Sequence, residues 1–314
     1  MLLRINDILS DPLNFLISFL LMLPGACLAI SVHESAHGWV AEKCGDPTAR
    51  YAGRITLNPV KHFDPIGFLP LLFVGFGWAK PVPVNPLLYK NYRKDDIKVS
   101  LAGITANLCL FLICFLITQV IFSAAIASTP KYTTYDEYSS AMRQETSSEN
   151  YRLNGDMFGF NEDSGILVTE SGIWGADNLY EGSSGLYVYE TGADSTSTID
   201  ELIIEPILGK VVAIIYRMLT NCMLINLSLA VFNLIPIPPL DGYHVLNDLV
   251  LKQDLFAQRR TQQICMAVLF ALIIIGNVNP EWDLISIVIN GVRKGIMGGL
   301  TSLTRMLAVA VGII

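Results

Sequence analysis

Apolar residues along this chain gather into long runs, with little of the period-two or period-3.6 alternation of a half-buried strand or helix. Four runs stand out: Leu13 to Ala41, Val99 to Ala127, Ile207 to Ile235, and a shorter one from Ile264 to Val278. The first three exceed the ~20 residues that a helix needs to cross a hydrocarbon core about 30 Å thick. The expected fold is an all-α polytopic membrane protein with about four transmembrane helices. Pro24-Gly25 is placed to kink the first of them.

The polar stretches differ from one another. Glu42 to Lys98 carries nine basic residues and the prolines Pro59, Pro65, Pro70, Pro81, Pro83 and Pro86. Proline removes a backbone donor, so a long helix is not expected there. Ala49 to Leu57 fits a short hairpin or edge strand. Ile66 to Trp78 is apolar but too short to cross and reads as re-entrant or interfacial. Thr129 to Glu205 is rich in Gly, Ser, Thr and Tyr, with only Lys131, Arg143 and Arg152 basic. Gly165 to Thr169 and Gly185 to Glu190 fit short strands between glycine turns, the alternative being a solvated loop. The expected organisation is a first part of the membrane core over 1–128, an acidic insertion over 129–206, a second part of the core over 207–281, and an amphipathic or membrane-associated tail over 282–314.

Composition supports the membrane reading. Of the 314 residues 52% are hydrophobic and 16% charged, and the mean hydropathy is +0.47. The net charge of −7 comes mostly from the insertion. There is no basic face of the kind that tracks phosphates, so nucleic acid is not an expected partner. The six cysteines avoid the insertion and form no Cys-x-x-Cys pair, which argues against a disulfide framework or a cysteine-held zinc ribbon. Arg4 ahead of an apolar stretch has the look of a signal peptide, but that stretch continues into a polar motif and so reads as a span. Basic residues concentrate in cytoplasmic loops. Glu42 to Lys98 and Leu240 to Gln263 are therefore expected in the cytoplasm and the insertion outside.

Candidate chemistry lies at the end of the first run, in His33-Glu34-Ser35-Ala36-His37. Histidines four apart share one face of a helix and can bind one metal, and the Glu beside them can act as general base. A catalytic zinc needs a third protein ligand and an open position. Asp241 is the leading candidate, in Asn233-Leu-Ile-Pro-Ile-Pro-Pro-Leu-Asp-Gly242, where prolines break the third run at the same expected depth. From the residues alone, Asp241 is equally an N-cap. His62 and His244 are rival ligands, each also readable as an ordinary surface or interface histidine.

These residues resemble the site-2 protease family of intramembrane zinc metalloproteases, most closely the short prokaryotic type without PDZ or CBS domains. The resemblance is carried by His33 to Gly38, Gly45-Asp-Pro-Thr48, Gly53-Arg-Ile-Thr-Leu-Asn-Pro59, Gly77-Trp-Ala-Lys-Pro-Val-Pro-Val-Asn-Pro86 and Asn233 to Gly242. It implies that His33, His37 and Asp241 bind Zn2+, that Glu34 is the catalytic acid/base, and that Asn233 and Pro236 lie beside the substrate. Ala102-Gly-Ile-Thr-Ala-Asn107 matches the family's Ala-Gly-Pro-x-x-Asn stretch except at Ile104. The insertion is not part of the family core.

The expected activity is hydrolysis of a peptide bond in or near a membrane helix of a protein substrate, at the cytoplasmic side of the cell membrane. The expected partners are the lipid bilayer and a transmembrane protein substrate; nothing in the sequence selects an oligomeric state. Two other readings stand beside it. One is a membrane zinc peptidase acting on soluble peptides, with a downstream acid such as Glu281 as third ligand. The other is a metal-binding or transport protein without catalysis, which predicts more ionisable groups within the spans than this chain has.

Overall fold

The computed structural model describes residues 12–65, 67, 79–128, five strands between 157 and 188, and residues 208–251, 259–278 and 283–311. Its helices are α1 (Pro12–Cys44), the single turn α2 (Thr48–Tyr51), α3 (Tyr92–Ser128), α4 (Lys210–Asn233), α5 (Asp241–Leu246), α6 (Arg259–Val278) and α7 (Leu284–Val311). Three segments are long and apolar enough to cross a membrane: Phe15–Cys44, Tyr92–Phe122 and Lys210–Asn233. The chain is thus a multi-pass membrane protein, mostly helical. The expected fourth span coincides with α6, whose apolar segment Arg260–Gly276 is shorter than the other three. Exposed Leu13, Leu20, Leu116, Val120 and Val211 on these helices are the side chains a bilayer would cover.

The chain divides into two compact units, Met1–Leu116 with Met218–Gly291, and Ile117–Arg217 with Val292–Ile314. Every candidate site residue named above that the structure describes lies in the first. Within this unit α1 and α4 meet almost backbone to backbone. A Cβ on Gly25 would lie 2.8 Å from Cys222 Cα. Lipid tails are as apolar as leucine, so helices in a membrane gain little from burying apolar surface against each other. Small residues that allow close van der Waals contact take over that role.

In the second unit, β1 (Met157–Asn161), β2 (Ile166–Thr169) and β3 (Gly172–Gly175) form an antiparallel sheet in that order. β4 (Tyr180–Glu181) pairs with β5 (Tyr187–Val188). Of the strands expected over Gly165 to Thr169 and Gly185 to Glu190, the first is present from Ile166 and the second as the two residues Tyr187–Val188.

The strand expected over Ala49 to Leu57 is not. That segment begins with α2 and continues without strand pairing. The cause is local: the buried Asp46 carboxylate accepts from Thr48 N at 3.0 Å and from the Thr48 hydroxyl, just ahead of the helical turn. Gly53, at φ +62°, then ends the turn in the left-handed region. The re-entrant segment expected over Ile66 to Trp78 falls almost wholly outside the described residues.

Candidate metal centre

α1 is 33 residues long, roughly 50 Å at 1.5 Å per residue, so one helix both crosses the apolar layer and carries polar chemistry at its far end. The i, i+4 spacing puts His33 and His37 on one side. Their Nε2 atoms are 3.0 Å apart. Asp241 opens α5, and its Oδ2 lies 3.2 Å from His33 Nε2 and 3.4 Å from His37 Nε2. These three residues form the one group of three or more potential ligands among the described residues, with donor atoms all within 4.8 Å.

The arrangement fits a zinc ion. Bonds of about 2.0–2.1 Å in tetrahedral geometry place neighbouring donor atoms roughly 3.3 Å apart, close to the three distances found. Asp241 Oδ2 is also buried without a hydrogen bond of good geometry, as expected of an oxygen kept for a cation. Burial opposes ionisation of Asp241. The two imidazoles beside it prevail and hold its carboxyl well below the usual carboxylate range.

The ligand rings are held from behind. His37 Nδ1 donates to Val99 O at 2.7 Å. A carbonyl can only accept, so His37 Nδ1 carries a proton, and Nε2 is the nitrogen turned towards the cluster. Gly103 explains how α3 comes so close. A Cβ there would lie 2.5 Å from His37 Nε2 and 2.6 Å from His33 Cε1. Asn107, one turn on and fully buried, reaches His33 Nδ1 at 3.3 Å. Ile104 continues the regular helix and is itself buried.

Glu34 is fixed by the Pro-rich loop: its Oε2 accepts from Val82 N at 2.8 Å. Gly38, one turn further along α1, makes room for that loop. A Cβ on it would lie 2.8 Å from Ala49 Cβ and 3.1 Å from Val82 Cγ1. Ser35 holds a second part of the loop, donating to Thr56 O at 2.6 Å and accepting from Thr56 N at 3.1 Å.

The rival histidines lie elsewhere. His62 is buried and donates through Nε2 to Thr56 O at 2.8 Å, bracing the loop. His244 Nδ1 faces Asp96 Oδ2 at 3.2 Å. Asn233 ends α4 with its amide bonded back to Leu229 O at 3.0 Å, and Pro236 is exposed. Glu281 lies outside the described residues.

Neither the Val82 amide nor the Val99 carbonyl is legible in the sequence, because backbone groups carry no residue-type signal. Gly103 and Asn107 were legible only as members of the Ala102 to Asn107 stretch that carries part of the resemblance, with no role attached to either.

Comparison with known proteins also points to zinc peptidases. The profile of peptidase family M50 matches residues 19–276. YwhC of Bacillus subtilis (strain 168), named as a candidate zinc metalloprotease, is 30% identical over 223 residues, covering 71% of this chain and 66% of the relative. Rip2 of Mycolicibacterium smegmatis, named in the same way, is 31% identical over 121 residues, covering 37% of this chain and 46% of the relative. The chain thus spans just under two thirds of the first relative's length and less than half of the second's. No solved structure matches it.

Proposed function

The chain belongs to peptidase family M50, and on that premise we propose that it is a zinc metallopeptidase cleaving peptide bonds in or near transmembrane segments of other membrane proteins. The observation that carries the proposal is the convergence of His33, His37 and Asp241 within 4.8 Å at the end of a span. Zinc at such a site supplies a Lewis acid that polarises a carbonyl and makes water a nucleophile near neutral pH.

His33, His37 and Asp241 hold the metal, and Glu34 handles protons. Water oxygen adds to the scissile carbonyl carbon, and Glu34 takes the proton that water gives up. The C–N bond then breaks, and Glu34 passes that proton to the leaving amine. The second water proton stays on the added oxygen, so the immediate products are a carboxylic acid and an amine, and its transfer from the first to the second leaves carboxylate and ammonium. The Val82 N–H occupies Glu34 Oε2, which leaves Oε1 for the proton and fixes the direction it faces.

A helical substrate hides its carbonyls in hydrogen bonds and must unwind to be cut. Asn233 and the exposed Pro236, beside the broken backbone that succeeds α4, are the groups we assign to the unwound segment. With the basic loops inside, the site faces the cytoplasmic side of the cell membrane and the 129–206 insertion lies outside. α6 then completes a core of about four spans.

The test is a Glu34→Gln variant in detergent, with zinc content measured beside cleavage of a panel of single-span membrane proteins. Retained zinc with cleavage lost is the expected result. Undiminished cleavage would remove Glu34 from the chemistry.

A further inference from the structure

Asp241 is carried differently from the two histidines. His33 and His37 stand on a helix 33 residues long, and α3 reaches both rings, His37 through the Val99 carbonyl and His33 through Asn107. Asp241 is the first residue of a six-residue helix that follows a proline-broken stretch. Two contacts fix where α5 begins. Leu240, just ahead of it, packs with Leu269 and Ile273, and Gly242 lies against the Leu234 carbonyl. Both are at its first turn. A short helix held at one end can still swivel, and a swivel moves the Asp241 carboxylate away from the metal.

His244 supplies a second point of attachment. It follows Asp241 by three residues and so lies one turn on, along the same side of α5. Its Nδ1 donates to Asp96 Oδ2 at 3.2 Å. Asp96 belongs to α3 and is 8% exposed, a costly place for a carboxylate unless it serves as an acceptor. Asp96, Gly103 and Asn107 are spaced seven and four, two helical turns and one, so they lie along one side of α3. The side of α3 that meets the histidine rings therefore also takes hold of α5.

We propose that Asp96 is a positioning residue for the third ligand: by accepting from His244 it sets the rotation of α5, and with it the place of the Asp241 carboxylate relative to His33 and His37. The proposal rests on the zinc reading above. The His244 side chain is 51% exposed, so the pair adds little to folding. Its consequence is geometric, because ligands must be held within about 0.5 Å of the working arrangement. All three ligands then take their bearing from α3, a helix that supplies none of them.

The experiment measures zinc dissociation constants by chelator competition in the full-length protein, together with the visible spectrum of the Co2+-loaded form, whose bands follow ligand geometry. The variants are Asp96→Ala, His244→Ala, the two combined, Asp96→Asn, His244→Asn and His37→Ala. Loss of a group that bonds a ligand directly costs about 10- to 100-fold in affinity. Asp96 acts one step further out, so Asp96→Ala and His244→Ala should each weaken zinc about 3- to 10-fold and alter the Co2+ spectrum alike. The double variant should be no weaker than either single one, since both remove the same tie. Asp96→Asn keeps an acceptor, and His244→Asn keeps a donor near the place of Nδ1, so each should recover the affinity and the spectrum. Wild-type affinity in Asp96→Ala, additive losses in the double variant, or no recovery in Asp96→Asn would overturn the role of Asp96. If Asp96→Ala does not fold, His244→Ala and His244→Asn decide, and equal affinity in those two overturns it. Zinc retained in His37→Ala would instead overturn the metal-site reading beneath it.

Discussion

Helix α1 brings His33 and His37 to the metal site on one continuous helix, which forgoes only the hydrogen bond that Pro24 cannot donate, whereas the stretch from Asn233 to Asp241 brings its ligand by abandoning the helix. A regular helix satisfies its own donors, so its side chains can be varied freely along one face. A broken chain at membrane depth must satisfy every donor in some other way. Here Leu234, Ile235, Ile237 and Leu240 donate to Ala230, Phe232, Ile235 and Ile237. Pro236, Pro238 and Pro239 have no N–H to satisfy. The prolines thus break the helix and also remove the donors that the break would have stranded. Leu240 then packs with Leu269 and Ile273 of α6, which anchors the start of α5 and with it Asp241.

The largest expected effect tests whether both stretches are needed. Asp241→Ala and His37→Ala should each lower bound zinc from about one per chain to background by mass spectrometry, since three ligands are the minimum for such a site. Zinc kept in Asp241→Ala alone would make the broken stretch dispensable and undo the comparison.

Single methyl groups sharpen it. Gly242→Ala meets Leu234 O at 2.4 Å, a backbone atom that cannot swing aside, and Gly103→Ala meets the ligand rings themselves. Each should cost about 1–3 kcal/mol of overpacking. In Gly242→Ala the cost should appear chiefly as a lower melting temperature. In Gly103→Ala it should appear chiefly as weaker zinc binding, by about tenfold or more for each 1.4 kcal/mol that falls on the rings. Equal melting losses with unchanged zinc affinity would mean that α3 yields and the rings do not.

The smallest effect concerns His244, on α5. The hydrogen bond that His244 donates to Asp96 outweighs burial and, with the charges of Asp241 and Asp248, raises the His244 pKa above its ordinary value. A raised folded pKa stabilises below about pH 6.5, the unfolded value, and the gain fades as pH rises through the folded one. The side chain is 51% exposed, so the size should be under about 1 kcal/mol. Melting with chelator present, from pH 5.5 upward, should show wild type losing stability relative to His244→Gln as pH rises. Parallel profiles would leave His244 without an electrostatic role.

The helix-borne part of the site was legible in the sequence because helix periodicity turns spacing into position. His33 and His37 required only a count of four. The spans were legible in the same way, although α3 begins at Tyr92, seven residues ahead of the apolar run. Asp95 there accepts from Asn91 N at 2.8 Å and from Lys98 Nζ at 2.7 Å, which lets a charged turn open the helix. Asp241 could not be placed by counting, since no period links it to α1, and the residues alone left it as ligand or cap. The misplaced strand at Ala49 to Leu57 has the opposite cause. Its β-favouring residues were outweighed by Asp46, a single side chain whose hydrogen bonds to Thr48 start a helical turn in their place.

The near contact of Gly25 with Cys222 bears on how a substrate can enter. Gly25 has no side chain to hold α1 and α4 apart at that point. His33 lies two helical turns beyond the contact, and Asn233 about three. On the function proposed above, the two sides of the site would share one frame, a target helix would approach from elsewhere than between them at that point, and its susceptibility would be set by how readily its own helix frays.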